Sequence, residues 1–235
     1  MVLFRLMVMV ATVTALSIVS FSHSTPRPPC KVGSTAAGIG FWSWNRGARL
    51  KVYVVVRDFS PAEIPYLVLP LQKWSAVSQD TGSAVTLVYE GTTSQLMSCE
   101  NCVTIMRANV LDRTSRHGSE VKAYGYSGSQ LIKYAAILID PAFKNPETLT
   151  NAVAHELGHS FGLTDCYECK DGSTVMNKLK AMNVSNGMVG PTACDVAQVR
   201  VAYAEAGTRV RTKLAIVVDE GEEGVEDDTP IVEAP

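Results

Sequence analysis

This chain lacks an excess of charge of either sign. Its 235 residues carry 21 Lys and Arg against 23 Asp and Glu, a formal net charge of −2. No basic block appears, which argues against nucleic acid or an anionic membrane surface as a partner. Long apolar runs are missing beyond the first twenty residues, so no stable membrane span is expected once a leader is removed. No internal repeat is present. Histidine is scarcest of the reactive residues: there are four, and one of them is His23 near the N-terminus.

What is present reads as one domain with a leader and a tail. Hydrophobic residues make up 46% and charged residues 19% of the chain, ordinary values for a globular protein. Met1 to Ser20 holds one cation, Arg5, and then an apolar run from Leu6 to Val19. Ser20, Ser22 and Ser24 follow, and then the Pro-rich TPRPP. That order matches a secretory signal cleaved near Ser22 to Ser24. The alternative is an uncleaved anchor, but the run is shorter than the ~20 apolar residues a spanning helix needs. Residues 1–24 are therefore expected to be a signal peptide and 25–48 an N-terminal extension. Residues 49–206 are expected to form the folded domain, and 207–235 an acidic tail without fixed structure. The tail carries DEGEEGVEDD, a run of like charge that self-repels. The chain should be secreted.

Six cysteines remain after the leader: Cys30, Cys99, Cys102, Cys166, Cys169 and Cys194. An even count behind a signal peptide reads as disulfides. Six thiols permit fifteen pairings, and sequence alone does not choose among them. The short spacings favour Cys99–Cys102 and Cys166–Cys169 and leave Cys30–Cys194 as a long closure. The two CxxC pairs could instead hold a structural zinc ion.

The coarse pattern is strands first and helices later, which gives an α+β class. Strands are expected at Leu50–Val56, Val85–Tyr89, Val103–Arg107, Ala123–Tyr126 and Lys133–Asp140, the last ending at Pro141. A first helix should open at Ser60 and Pro61, Ser as N-cap and Pro in the first turn, and run to about Ser78, with a bend at Pro70. A second should open at Pro146 and continue to Phe161, where Gly162 stops it. Thr192 should cap a final helix over Asp195–Ala204.

The chemistry concentrates in His155-Glu-Leu-Gly-His159-Ser-Phe-Gly162-Leu-Thr-Asp165. On a helix, positions i and i+4 share a face. His155 and His159 can thus offer two nitrogens to one metal ion, a spacing that suits Zn²⁺. Glu156 projects beside the metal rather than at it. Gly162 tolerates a positive φ, so the chain can turn sharply and bring Asp165 under the ion as third ligand. Downstream, Gly172-Ser-Thr-Val-Met176-Asn is a tight turn whose methionine can form an apolar floor below the site.

HELGHSFGLTD followed by STVMN resembles the metzincin metalloproteases, whose signature is H-E-x-x-H-x-x-G-x-x-H with a Met-turn. Here Asp165 stands where most members have a third histidine, as in small bacterial metzincins of the snapalysin type. The helix ending also resembles matrixins. The resemblance implies a metzincin-like single catalytic domain: a twisted, mostly parallel sheet with one antiparallel edge strand, an active-site helix, the Met-turn and a C-terminal helix. It implies one catalytic zinc ion on His155, His159 and Asp165, with Glu156 as general base. The activity implied is that of a zinc metalloendopeptidase with a protein or peptide substrate; separately, a monomer is expected. In such a family the substrate lies antiparallel along the edge strand, which the element order assigns here to Lys133–Asp140. Some members place a tyrosine two residues after the methionine; Lys178 stands there instead. Tyr124, Tyr126, Tyr167 and His117 are weaker cleft candidates. The rival reading is a secreted binding protein on the same fold without catalysis.

Overall fold

The computed structural model describes residues 43–110, 118–125, 131–166, 169–170, 172–177, 188–214 and 230–233. Cys30, His117, Tyr126, Tyr167, Lys178, the leader and the acidic run fall outside them. Five strands build the body of one sheet: β1 (Arg49–Val55), β2 (Thr86–Thr93), β3 (Cys102–Arg107), β4 (Ser119–Gly125) and β5 (Ile132–Ile139). A short β6 (Pro230–Glu233) joins at one side, giving the order β2-β1-β3-β5-β4-β6. β1 pairs in parallel with β2 and β3, and β3 with β5. β4 runs antiparallel to β5. The mostly parallel α+β sheet expected from the sequence is the sheet observed.

The antiparallel strand is not the one expected. Lys133–Asp140 corresponds to β5, which lies inside the sheet between β3 and β4. The reason is visible in its residues. Tyr134 to Ile139 are all buried, and a strand apolar on both faces belongs in a sheet interior. β4 alternates instead: Ser119 and Val121 are buried, whereas Glu120 and Lys122 are partly exposed. That is the pattern of a strand at a sheet margin. The fourth strand also starts earlier than expected, at Ser119. Beyond it, β6 pairs antiparallel with Lys122, Ala123 and Tyr124, so part of the tail expected to lack structure is an outer strand.

Three helices accompany the sheet: α1 (Ile64–Ala76), α2 (Pro146–Ser160) and α3 (Ala193–Leu214). α1 begins at Ile64, later than Ser60 and Pro61 suggested. Ser60 N and Oγ both donate to Glu63, the residue that caps the helix. Pro65 fits the first turn, and the helix continues through Pro70. α1 holds α2 in place. Trp74 Nε1 donates to the Ala154 carbonyl at 3.0 Å, and the Trp74 ring stacks on Phe161 at 4.9 Å. Thr150 Oγ1 donates to Tyr66 O at 3.1 Å.

Arg107, at the end of β3, fixes the chain that leads into α2. Its Nη1 donates to the carbonyls of Asp140 and Phe143, Nε to Asp58 O, and Nη2 to Glu63 at 2.8 Å. The guanidinium also sits over the Phe59 ring at 4.6 Å. One planar cation with five donors thus ties the β5 exit to the β1–α1 connection, a task lysine could not do. α3 extends well past Ala204. It opens on a reciprocal cap: Asp195 N donates to Thr192 Oγ1, and Thr192 N donates to Asp195 Oδ2 at 2.7 Å.

Candidate metal centre

α2 carries the site and is buried almost throughout. Asn145 caps it, accepting from Glu147 N at 2.9 Å, and Pro146 fills its first turn. It ends where Gly162 takes φ of 86°. Leu163 N then donates to Gly158 O and Gly162 N to His159 O, the paired bonds of a left-handed helix stop. This reversal returns the chain beneath the last turn and delivers Asp165 to the two histidines.

The three side chains meet at one point. His155 Nε2 lies 3.0 Å and His159 Nε2 3.5 Å from Asp165 Oδ1. The two Nε2 atoms are 3.1 Å apart. Tetrahedral ligands at ~2.0–2.1 Å from zinc stand about 3.3–3.4 Å from one another. The triangle in this protein has the size that such an ion requires.

The tautomers are fixed from outside. His155 Nδ1 donates to the Val175 carbonyl at 3.0 Å, and His159 Nδ1 to the Leu163 carbonyl at 2.8 Å. A carbonyl can only accept, so in each neutral ring the proton sits on Nδ1 and Nε2 presents a lone pair. Two lone pairs 3.1 Å apart cannot bond each other. When both rings are neutral they need a cation between them: a proton on His155 serves in the metal-free protein, and a metal ion would serve in its place. The outer hydrogen bonds are those a ligating imidazole uses for orientation.

Electrostatics agree. Burial opposes charge on His155, but the Asp165 hydrogen bond and the charges of Glu156 and Asp165 outweigh it and push its pKa up to about 9. Burial would likewise raise Asp165, yet the hydrogen bonds and charges of His155 and His159 hold its carboxyl well below the usual carboxylate range. The pocket demands positive charge.

Glu156 sits next to this triangle. His155, Glu156 and His159 offer donor atoms within 4.8 Å of one another, a looser grouping than the one with Asp165. Glu156 is buried and its Oε1 accepts from Ser119 Oγ at 2.6 Å. The tighter set, two imidazoles and Asp165, is the better cage, and it leaves Glu156 at its side.

Met176 lies under α2, fully buried. The turn that carries it is fastened twice. Cys166 N donates to Met176 O at 2.8 Å, next to Asp165. Asp195, buried at the start of α3, accepts from Thr174 Oγ1, from Val175 N at 3.0 Å and from Thr192 Oγ1 at 2.8 Å. Val175 is the residue whose carbonyl orients His155, so α3 reaches the metal site through one carboxylate.

Of the cysteines, Cys166 bonds Cys169 and Cys99 bonds Cys102, each with Cα atoms 5.4 Å apart. Their sulfurs are therefore committed, and the structural-zinc alternative falls. Cys194 is also disulfide-bonded. The Cys166–Cys169 bridge adjoins Asp165, while Cys99–Cys102 lies at the start of β3. Tyr124 stacks on Tyr134 at 4.6 Å as a cross-strand pair. Ser119 and Asp195 escaped the sequence reading as site residues. Thr192-x-x-Asp195 could have pointed to Asp195 as a cap; nothing local marks Ser119.

No protein-family model matches the chain, and no curated protein matches it. Among solved structures, it is similar to an archaemetzincin from Methanopyrus kandleri, with 11% identity over 67% of this chain and 96% of that one, at a TM-score of 0.43. It is also similar to metalloproteinase-II from Bacteroides fragilis, with 8% identity, 72% of this chain and 60% of that one, at a TM-score of 0.42. The chain thus spans less than two thirds of the second protein. Both likenesses are distant.

Proposed function

We propose that this protein is a secreted zinc-dependent endopeptidase of the metzincin type, with His155, His159 and Asp165 as ligands and Glu156 as general base. The observation that carries the proposal is the triangle of 3.0, 3.1 and 3.5 Å closed by two inward lone pairs and one carboxylate oxygen. Three protein ligands leave one of zinc's four tetrahedral positions for a water, the ligand count of catalytic rather than structural zinc. A bound zinc ion would polarise the scissile carbonyl and acidify a water molecule. Glu156 takes the proton from that water and returns it to the departing amine. Asp165 keeps a fixed negative charge against the cation. His155 and His159 hold their geometry through the Val175 and Leu163 carbonyls.

A peptide substrate fits the surroundings. β4 pairs on its outer side with an antiparallel strand, here Pro230–Glu233. The same strand begins at Ser119, in contact with Glu156. An extended peptide pairing with the Ser119 end of β4, beyond the Lys122–Tyr124 stretch that Pro230–Glu233 covers, would therefore pass the base, in the manner of strand addition to a sheet edge. Secretion is supported by the disulfides at Cys99–Cys102 and Cys166–Cys169, which persist in oxidising compartments.

The test is metal analysis of the purified protein beside casein hydrolysis. We expect one zinc per chain and cleavage that is lost in chelator and in Glu156→Ala. A Glu156→Ala protein that retains zinc and still cleaves casein at the native rate overturns the mechanism. Native protein that binds zinc but cleaves no peptide favours the non-catalytic binding role.

A further inference from the structure

We propose that Ser119 is a positioning residue that orients Glu156 for proton transfer; this rests on the reading of Glu156 as general base. Ser119 Oγ donates to Glu156 Oε1 at 2.6 Å, within the range of a charge-assisted O–H···O⁻ bond. Both residues are buried, at 8% and 2% exposure. A serine hydroxyl has one proton to give, and here a carboxylate receives it. With Oε1 so engaged, the proposal assigns the proton transfer to Oε2.

The placement of Ser119 is enforced by its backbone. It is the first residue of β4 and pairs with Ile139. One residue earlier, Gly118 O accepts from Asp140 N at 2.8 Å. A Cβ on Gly118 would meet Phe143 at 1.9 Å, so the strand enters through a gap that admits only glycine. Phe143 is itself held by Arg107, whose Nη1 donates to its carbonyl at 3.0 Å. The hydroxyl is thus aimed by the sheet, and Glu156 by the helix. The bond joins the two elements at the reacting carboxylate. An aligned base contributes to rate without changing how the substrate is held, so the effect belongs in kcat.

The experiment compares full-length native protein, Ser119→Ala, Ser119→Thr, Glu156→Gln and the Ser119→Ala/Glu156→Gln double variant, all zinc-loaded. Turnover is measured on a fluorogenic peptide chosen from a casein digest. Binding of acetohydroxamic acid, whose donors also need a carboxylate beside the metal, is measured by calorimetry. For Ser119→Ala we expect native zinc content, native melting temperature, KM within about twofold and kcat lowered about 10- to 100-fold, the loss of one hydrogen bond to a charged group. Ser119→Thr should recover most of the rate. Hydroxamate affinity should fall about tenfold on Ser119→Ala when Glu156 is present and not at all in the Glu156→Gln background. A native kcat in Ser119→Ala, an equal hydroxamate loss in both backgrounds, or lost zinc or early melting in place of the kcat effect overturns the proposal. If native protein cleaves no peptide, the peptidase reading fails by itself, and the hydroxamate cycle still decides whether Ser119 orients Glu156.

Discussion

Gly158 lies between His155 and His159, and its replacement by alanine separates two opposing effects. In a solvent-exposed helix interior, Gly→Ala stabilises by about 0.4–1 kcal/mol, because glycine loses more chain entropy on folding. Here a Cβ would stand 2.2 Å from Met176 Sδ and 3.3 Å from its Cε. An ordinary carbon–sulfur contact is close to ~3.7 Å, so the overlap is roughly 1.5 Å. Met176 cannot retreat as a whole. It is completely buried, its N–H donates to Thr174 Oγ1 at 2.9 Å, and its carbonyl accepts from Cys166 N at 2.8 Å. Only its side chain can move, within a filled core. Overpacking of this kind costs about 1–3 kcal/mol, and the size of the overlap puts it at the upper end. After the helix gain is subtracted, Gly158→Ala should lose about 2 kcal/mol.

For a domain of this size that is a fall of about 4–8 °C in melting temperature, read by calorimetry on the metal-free protein. The cycle with Met176→Ala sharpens it. Met176→Ala alone leaves a cavity and should cost about 2–5 kcal/mol. In the Gly158→Ala background the new methyl partly fills that cavity and the clash is gone, so the double variant should be more stable than the sum of the singles by at least about 1 kcal/mol. A Gly158→Ala protein that melts higher than native, together with additive singles, would refute the reasoning.

Zinc affinity should rise with pH. In the metal-free protein His155 is raised to about 9, so it holds a proton that zinc must displace; affinity should gain about tenfold per pH unit from 6 to 9 and then level, as chelator competition will show. The sign for stability is opposite: charged His155 stabilises the metal-free fold fully below its unfolded value of about 6.5, and that contribution disappears as pH rises through about 9, visible as a falling melting temperature. Asp165→Ala should weaken zinc binding by at least about 100-fold, beyond the effect of losing an outer hydrogen bond, and should let His155 titrate below 9 by NMR. Asp195→Ala strands buried donors from Thr174 and Val175 and should lower stability by about 3 kcal/mol, with zinc affinity reduced as well. Native melting and native zinc affinity in that variant would contradict the link from α3 to His155.

The site was legible in the sequence wherever it depended on neighbours along one chain segment. His155 and His159 are set by helix periodicity, and Gly162 by the need for a positive φ. Asp165 follows from that turn, because the helix stop leaves few directions for the next three residues. Ser119 is different. It reaches Glu156 across 37 positions through strand pairing, and a serine beside a glycine carries no such signal. The β5 assignment failed for another reason. Element order suggested an edge strand, but Tyr134-Ala-Ala-Ile-Leu-Ile is apolar on both faces. The hydrophobic pattern already spoke for an interior strand, and it outranks a likeness of order.

The centre is assembled by α2, the turn that follows it and α3, each of which fixes part of another. α2 supplies the imidazoles, yet their ring orientations are set by carbonyls outside it, Val175 in the methionine-bearing turn and Leu163 in the helix exit. The turn in turn hangs from Asp195 on α3 and from Cys166 beside Asp165. His155 and Asp165 are therefore tied to the same turn, His155 through the Val175 carbonyl and Asp165 through its neighbour Cys166. A metal ion entering such a frame meets donors already at their spacing and pays little to organise them. The same frame explains the cost of a side chain at 158: a Cβ there would press on the Met176 side chain, in the turn whose Val175 carbonyl keeps the His155 lone pair facing inward.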